Sequence, residues 1–217
     1  MKINANTVLV GARVVLVPYR EEHVERYHAW MQDADLRAQT ASEPLSLEEE
    51  YAMQRSWAED DDKLTFIVLA RTPGTPDVLA PDAPRALPMV GDVNLFLKGA
   101  LGDDDFEAEA EVMIAEKEYR RKGLAREALA LLFRYATATP TPEPTAHAAS
   151  SPLGLPPSAL VARIGAENDA SRALFASLGF RVRRAVPVFD ELELAYGGGA
   201  EWESEGGAGL VVCAYDA

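Results

Sequence analysis

Apolar residues along the chain fall into short β-branched runs bounded by turn residues, with stretches of helical spacing between them. The apolar run over 7–17 is broken by Gly11 and Arg13, and its second half, 13–17, closed by Pro18, predicts a first strand. Val24, Tyr27, His28 and Met31 then recur at helical spacing behind Glu21 and Glu22, acids well placed at a helix N-terminus. A polar connection over 40–45 leads to a second helix. Ser46 with Glu49 three residues on makes a capping box, and Leu47, Tyr51 and Gln54 follow on one face. Strands are predicted at 65–70, at 89–98 and at 107–114, the last two divided by a Gly/Asp-rich turn over 102–105.

A third helix carries Leu124, Ala128, Leu131, Leu132 and Tyr135 on one stripe. The pattern continues with a strand at 159–164, a short helix at 169–178 ended by Gly179, and a strand pair at 181–188 and 191–196. Residues 71–88 hold five prolines between two strand-like flanks and read as a surface loop. Residues 137–158, rich in Pro, Thr, Ala and Ser, read as lacking stable structure. The chain shows no internal repeat. This order predicts one domain of mixed α/β class over 1–196, a largely antiparallel sheet with helices on both faces. The two loops decorate it, and 197–217 is left as an extension without assigned structure, strand-like at 210–215.

Composition narrows the functions available. A length of 217 residues suits one core. A net charge of −14 argues against a general nucleic-acid binder and against an electrostatic hold on an anionic membrane. The single cysteine, Cys213, excludes an intrachain disulfide, and the three histidines lack ligand spacing, so no metal is expected. No export or membrane-spanning segment is evident, and a reducing interior, the cytoplasm, is the expected home.

The most informative stretch runs from 107 to 135. On a strand, Glu107, Glu109 and Glu111 share one face, with Ala108, Ala110, Val112 and Ile114 on the other. The strand feeds a basic turn, Arg120-Arg121-Lys122-Gly123-Leu124-Ala125, in an otherwise acidic protein; between 117 and 135 six basic residues stand against two acidic. A strand, a Gly-containing turn and a helix N-terminus together suit a phosphate held on backbone N–H groups. The spacing fits neither a Walker loop nor the dinucleotide fingerprint. An ordinary basic helix start on the surface explains the same residues. Further on, Asn168 is a good N-cap and Gly179-Phe180 a helix stop, which by themselves are helix grammar.

Taken together, Arg-x-x-Gly-x-Ala at 120–125 and Asn-x-x-Ser-x-x-Leu-Phe with Leu-Gly-Phe at 168–180 resemble the GNAT superfamily of acetyl-CoA-dependent N-acetyltransferases. Further blocks, among them Tyr27-His28-Ala29-Trp30-Met31, Met89-Val90-Gly91-Asp92-Val93-Asn94 and Glu111-Val112-Met113-Ile114, are similar to the N-acetyltransferase 9-like family within it. The resemblance spans about 1–195 and leaves the two loops and the residues after 196 unsupported. It implies a sheet in which the strands at 107–114 and 159–164 splay apart around acetyl-CoA. The pyrophosphate would lie on backbone N–H groups of 121–125 beside Arg120, and the pantetheine along Val112, Met113 and Ile114. Asn168 and Phe175 are carried over as further site positions, and Thr40, Ser42 and Glu43 as acceptor contacts. Many superfamily members have Tyr where Phe175 stands, and phenylalanine cannot donate a proton to the departing thiolate; either the thiolate leaves unaided or another donor, Tyr119 or Tyr135, serves.

An attacking amine must be unprotonated, which calls for a base. Glu111 and Glu109 are the candidates, Glu111 preferred as nearer the splay, with a backbone N–H near Met113 to polarise the thioester carbonyl. Two functions follow: acetyl transfer to a protein amine, either an N-terminal α-amine or a lysine, or a weakly or non-catalytic acetyl-CoA-binding protein of the same fold acting in microtubule or cytoskeletal regulation. The implied partner is a protein or peptide amine, tubulin among the possibilities, and the sequence leaves the oligomeric state open.

Overall fold

A computed structural model describes the chain apart from residues 73, 76–82, 139–152, 201, 203–210 and 216–217. Nine strands form a single sheet: β1 (Thr7–Val10), β2 (Val14–Pro18), β3 (Lys63–Ala70), β4 (Met89–Lys98), β5 (Glu107–Ile114), β6 (Leu160–Gly165), β7 (Phe180–Val186), β8 (Glu191–Tyr196) and β9 (Val211–Ala214). Their order across the sheet is β7-β8-β6-β5-β4-β3-β2-β1-β9. Every neighbouring pair is antiparallel except β5 and β6.

Helices cover both faces. On one face α4 (Leu124–Thr137) and α5 (Asp169–Ser177) close a core of Leu64, Phe66, Val93, Leu95, Leu129, Leu132 and Phe133, and the whole predicted stripe of α4 is buried. On the other, α1 (Val24–Trp30) and α3 (Leu47–Glu59) flank a second cluster containing Val15, Val17, Tyr19, Tyr27, Trp30 and Ile67. Alternation along each strand is what feeds two cores from one sheet.

The differences from the sequence reading have physical causes. The early apolar run is a hairpin rather than one strand, because Gly11 to Arg13 turn the chain and Gly11 N–H bonds Val14 O at 2.8 Å. A short helix, α2 (Ala34–Gln39), capped by Asp33, stands in what reads as loop, so residues 40–45 join α2 to α3. The Ser46/Glu49 capping box is present, but α3 buries Glu50 and Gln54 and exposes Leu47, since it covers a polar stretch of sheet. Within 71–88, residues 73 and 76–82 lie outside the described residues and Ala83–Ala86 form a 3-10 turn; within 137–158, residues 139–152 lie outside them and Leu155 is a core residue. Trp202 is buried in the first core and β9 pairs with β1, so parts of 197–217 pack into the domain. Among the described residues no helix is long and apolar enough to cross a membrane, and no group of His, Cys, Asp and Glu stands together as a metal set.

Candidate active site

The parallel pair β5 and β6 is joined only at Ala108 with Leu160 and at Glu109 with Val161. Beyond these residues the strands part, so β5 from Ala110 to Ile114 keeps β4 on one edge and pairs with no strand on the other. Because the two strands run parallel, the helices that follow them, α4 and α5, both start at the splayed end. Gly123, the N-cap of α4, has φ +83°, and Arg121 just before it is also left-handed at +62°. This backbone leaves the N–H groups of 121–125 without a backbone partner among the described residues. The first bond into the helix is Glu127 N–H to Gly123 O, at 3.1 Å. Arg120 holds the turn in place: its Nε donates to Ile114 O at 2.8 Å and its Nη2 to Ala115 O at 3.1 Å. The result is a turn with open N–H groups at the mouth of a V-shaped cleft, a geometry suited to an anion.

The three glutamates of β5 do share one face, but their surroundings differ. Arg163 on β6 donates to Glu109 at 2.5 Å, to Glu107 at 2.6 Å and to Glu193 on β8 at 2.9 Å. Lys98 also pairs with Glu109, and Arg183 and Arg184 with Glu193. This network holds the Glu193 carboxyl down at about 2, even against its own desolvation. Glu111 stands past it, where the strands part, with no hydrogen bond or ion pair among the described residues. The residue is exposed. Desolvation first, then repulsion from Glu109 and Asp92, lifts its carboxyl to about 7. A base at that value is matched to neutral pH.

Behind Glu111 on the same face lie Asp92 and Asn94 of β4, both buried, with Asn94 directly opposite Glu111 in the register. Asn94 Nδ2 donates to Asp92 Oδ2 at 2.8 Å. Burial pushes the Asp92 carboxyl up to about 6. Tyr19, Tyr27 and Glu50 close the polar patch from β2, α1 and α3. At the far end of β5, Glu116 accepts from Trp30 Nε1 at 2.7 Å and pairs with Arg26, which fastens α1 to the mouth of the cleft.

The family model for the "Acetyltransferase (GNAT) domain" matches residues 13–181. The chain belongs to the GNAT acetyltransferase family. It is 46% identical over 194 residues to "Alpha/beta-tubulin-N-acetyltransferase 9" of Mus musculus, covering 89% of this chain and 72% of that protein. It is 38% identical over 208 residues to the "N-acetyltransferase 9-like protein" of Dictyostelium discoideum, covering 92% and 89%. The spermidine N-acetyltransferase from Vibrio cholerae, solved with CoA and spermine, shares the fold with a TM-score of 0.62 at 16% identity, covering 84% of this chain and 94% of that one. The protein is an N-acetyltransferase, an acyltransferase enzyme.

In this acetyltransferase the fold gathers Glu111, Val112, Met113 and Ile114 on the free edge of β5 and sets Arg121, Lys122, Gly123, Leu124 and Ala125 in the cradle beyond it. Other expected positions find different work. Glu109 is ion-paired on both sides. The Arg120 guanidinium reaches back to the end of β5 rather than out of the turn. Asn168 caps α5, its Oδ1 accepting from Ser171 N–H at 3.0 Å. Phe175 is a core residue, packed edge-on against Phe180 at 5.1 Å between centroids. Tyr135 lies in the core against Phe66 with Thr7 of β1 near its hydroxyl, at the opposite side of the sheet from the splay, and so cannot serve as the acid. Tyr119 is half-buried beside the cradle, with Lys122 Nζ 5.5 Å from its ring centre. Thr40 and Ser42 bond each other at 2.8 Å in the α2–α3 turn, and Glu43 is exposed next to them.

Sequence reasoning missed Asp92 and Asn94 as site residues. The signal was there: Met89–Lys98 is apolar apart from these two and its closing Lys98, and positions two apart on a strand share a face. Gly91 beside them was missed for a different reason. A Cβ there would lie 1.9 Å from Met113 O, so glycine lets β4 approach β5 where the cleft opens.

Proposed function

We propose that the protein transfers the acetyl group of acetyl-CoA to a protein amine, and that tubulin is a natural acceptor, in line with the names of its relatives. The residues present fit the donor. The cradle at 121–125 offers free N–H groups to a diphosphate, and a Cβ at Gly123 would meet nothing nearer than Arg13 Nη1 at 3.8 Å, which leaves the approach open. The unpaired edge of β5 suits an amide-bearing arm laid down as an extra strand. When bound, acetyl-CoA supplies a thioester carbonyl open to attack by nitrogen.

The observation that carries the reading is Glu111, the one glutamate of the β5 face left unpaired among the described residues, standing where the strands part. As the amine nitrogen bonds to the acetyl carbon, Glu111 takes the proton that nitrogen gives up, and the C–S bond breaks to release the thiolate. An N–H on the free edge of β5 beside Met113 would polarise the carbonyl oxygen. A base near 7 is about one unit below a free α-amine, at about 8, but more than three below lysine, at about 10.4. The α-amine at a protein N-terminus is therefore the acceptor the site favours. A tubulin acceptor would fit a cytoplasmic home, in line with the names of the relatives.

The test is to incubate the enzyme with acetyl-CoA and either tubulin or a panel of peptides with free and blocked N-termini, and to map the products by mass spectrometry. N-terminal acetylation above the level of Glu111→Gln is expected. Acetyl-CoA binding with no acceptor modified above that level would reject the reading.

A further inference from the structure

Asn94 and Asp92 lie under α1 and α3, 5% and 2% exposed, on the face that carries Glu111. The Asn94 amide has one orientation available. Its Nδ2 is engaged by Asp92 Oδ2, which leaves Oδ1 as a buried acceptor with no partner among the described residues, Thr65 Oγ1 across the register on β3 being likewise unpaired. A buried polar atom without a partner costs free energy, so a natural core retains one where something completes it. Directly across the register stands Glu111, at the separation of an antiparallel pair, with Cβ atoms about 5 Å apart. A carboxylate offers that oxygen nothing, because it has no hydrogen to donate. A protonated carboxyl does.

We propose that Asp92 and Asn94 are positioning residues for the base: Asp92 fixes the Asn94 amide so that its Oδ1 accepts the O–H which Glu111 acquires when it takes the proton from the acceptor amine. The pair thus stabilises the protonated form of Glu111 and strengthens it as a base. The inference rests on Glu111 being that base. Other groups facing Glu111 are Glu109 on its own strand, Lys98 on β4, Glu191 on β8 and Tyr27 on α1, of which Lys98 alone favours its charged form. Asp92 is faced by Tyr27, whose hydroxyl favours its charge, and by Tyr19 and Glu50.

The experiment is the pH profile of kcat/KM for an acceptor peptide in wild type, Asp92→Asn and Asn94→Ala, with acetyl-CoA affinity measured on each as the check of folding. In either variant Glu111 should titrate lower, by about half a pH unit or more. The ratio of kcat/KM at pH 6 to that at pH 8 then rises about three-fold, while the plateau falls. An unchanged ratio in a variant that still binds acetyl-CoA overturns the proposal, whatever the loss of rate, because a merely structural role lowers the profile without moving it. Asn94→Ala decides, with Asn94→Leu of similar shape behind it, because Asp92→Asn also removes a charge that by itself raises Glu111. Glu111→Gln separates this failure from that of the parent reading: a wild-type limb persisting in Glu111→Gln would show that another group is the base.

Discussion

Glu109 and Glu111 stand two residues apart on one face of β5, yet the first is clamped between Lys98 and Arg163 and the second has no partner among the described residues. On the proposed mechanism, Glu109 is the structural carboxylate of the pair and Glu111 the chemical one. Glu111→Gln should lower kcat by about 10²–10⁴-fold and leave acetyl-CoA affinity near wild type. Glu109→Gln should act mainly on stability, costing about 1–3 kcal/mol as Arg163 loses a charged acceptor. Steady-state kinetics beside thermal melts distinguish the two, and a larger kinetic loss for Glu109→Gln would reverse the assignment.

The raised carboxyl of Glu111 also sets a sign for stability. A carboxyl whose folded value, about 7, lies above its ordinary one contributes stability below the ordinary carboxylate range and loses it as pH rises through 7. Replacing it with a neutral amide removes that loss. Glu111→Gln should therefore melt higher than wild type at pH 8, with the advantage gone at pH 4. Melting curves at the two pH values decide it, and an advantage confined to pH 4 would contradict the direction.

Gly91→Ala places a methyl 1.9 Å from Met113 O, a backbone atom that cannot turn aside. The strands must separate where the cleft begins. Destabilisation by about 1–3 kcal/mol is expected, together with weaker acetyl-CoA binding. Denaturant melts and calorimetry should show both effects; a protein with wild-type stability would mean that β4 and β5 yield easily.

At Gly123 the conflict is conformational. The site is open, but φ is +83° and proline is held near −65°. Gly123→Pro, combined with Arg120→Ala to release the turn from the end of β5, should reduce acetyl-CoA affinity at least about ten-fold without unfolding the domain. Unchanged affinity by titration calorimetry would remove the cradle.

Trp202 sits 5% exposed against Phe133 and Tyr196, its Nε1 donating to Leu178 O at 3.1 Å. Trp202→Ala should cost about 3–5 kcal/mol, as loss of a core residue does. A change below 1 kcal/mol in a denaturant melt would show that this segment is an appendage to the domain.

Much of the fold could be read in advance where local pattern and tertiary demand agree. The strands at Met89–Lys98 and Glu107–Ile114 fall where their apolar runs end, and α4 buries the stripe its spacing announces. The motif residues 120–125 form the turn that opens α4, around a left-handed Gly123. Agreement fails where a residue type has two uses. Phe175 and Tyr135 are aromatic in sequence and core in space. Arg120 reads as part of a phosphate loop, but its guanidinium serves the backbone of β5. Asn168 satisfies its helix. The α2 turn was hidden because six residues carry too little periodicity to stand out from loop.

By itself the sequence determined the mixed α/β class, the positions of the main strands and helices, and the identity of the basic turn, because these depend on residues near one another along the chain. The tertiary structure decided which of three like glutamates has no partner among the described residues, because β6 and β7 bring Arg163 and Arg183 to the other two and β6 diverges before the third. It also decided that Asp92 and Asn94 face Glu111 from an adjacent strand. Charge and hydrogen bonding act through space, and neither register nor splay is written in any single segment.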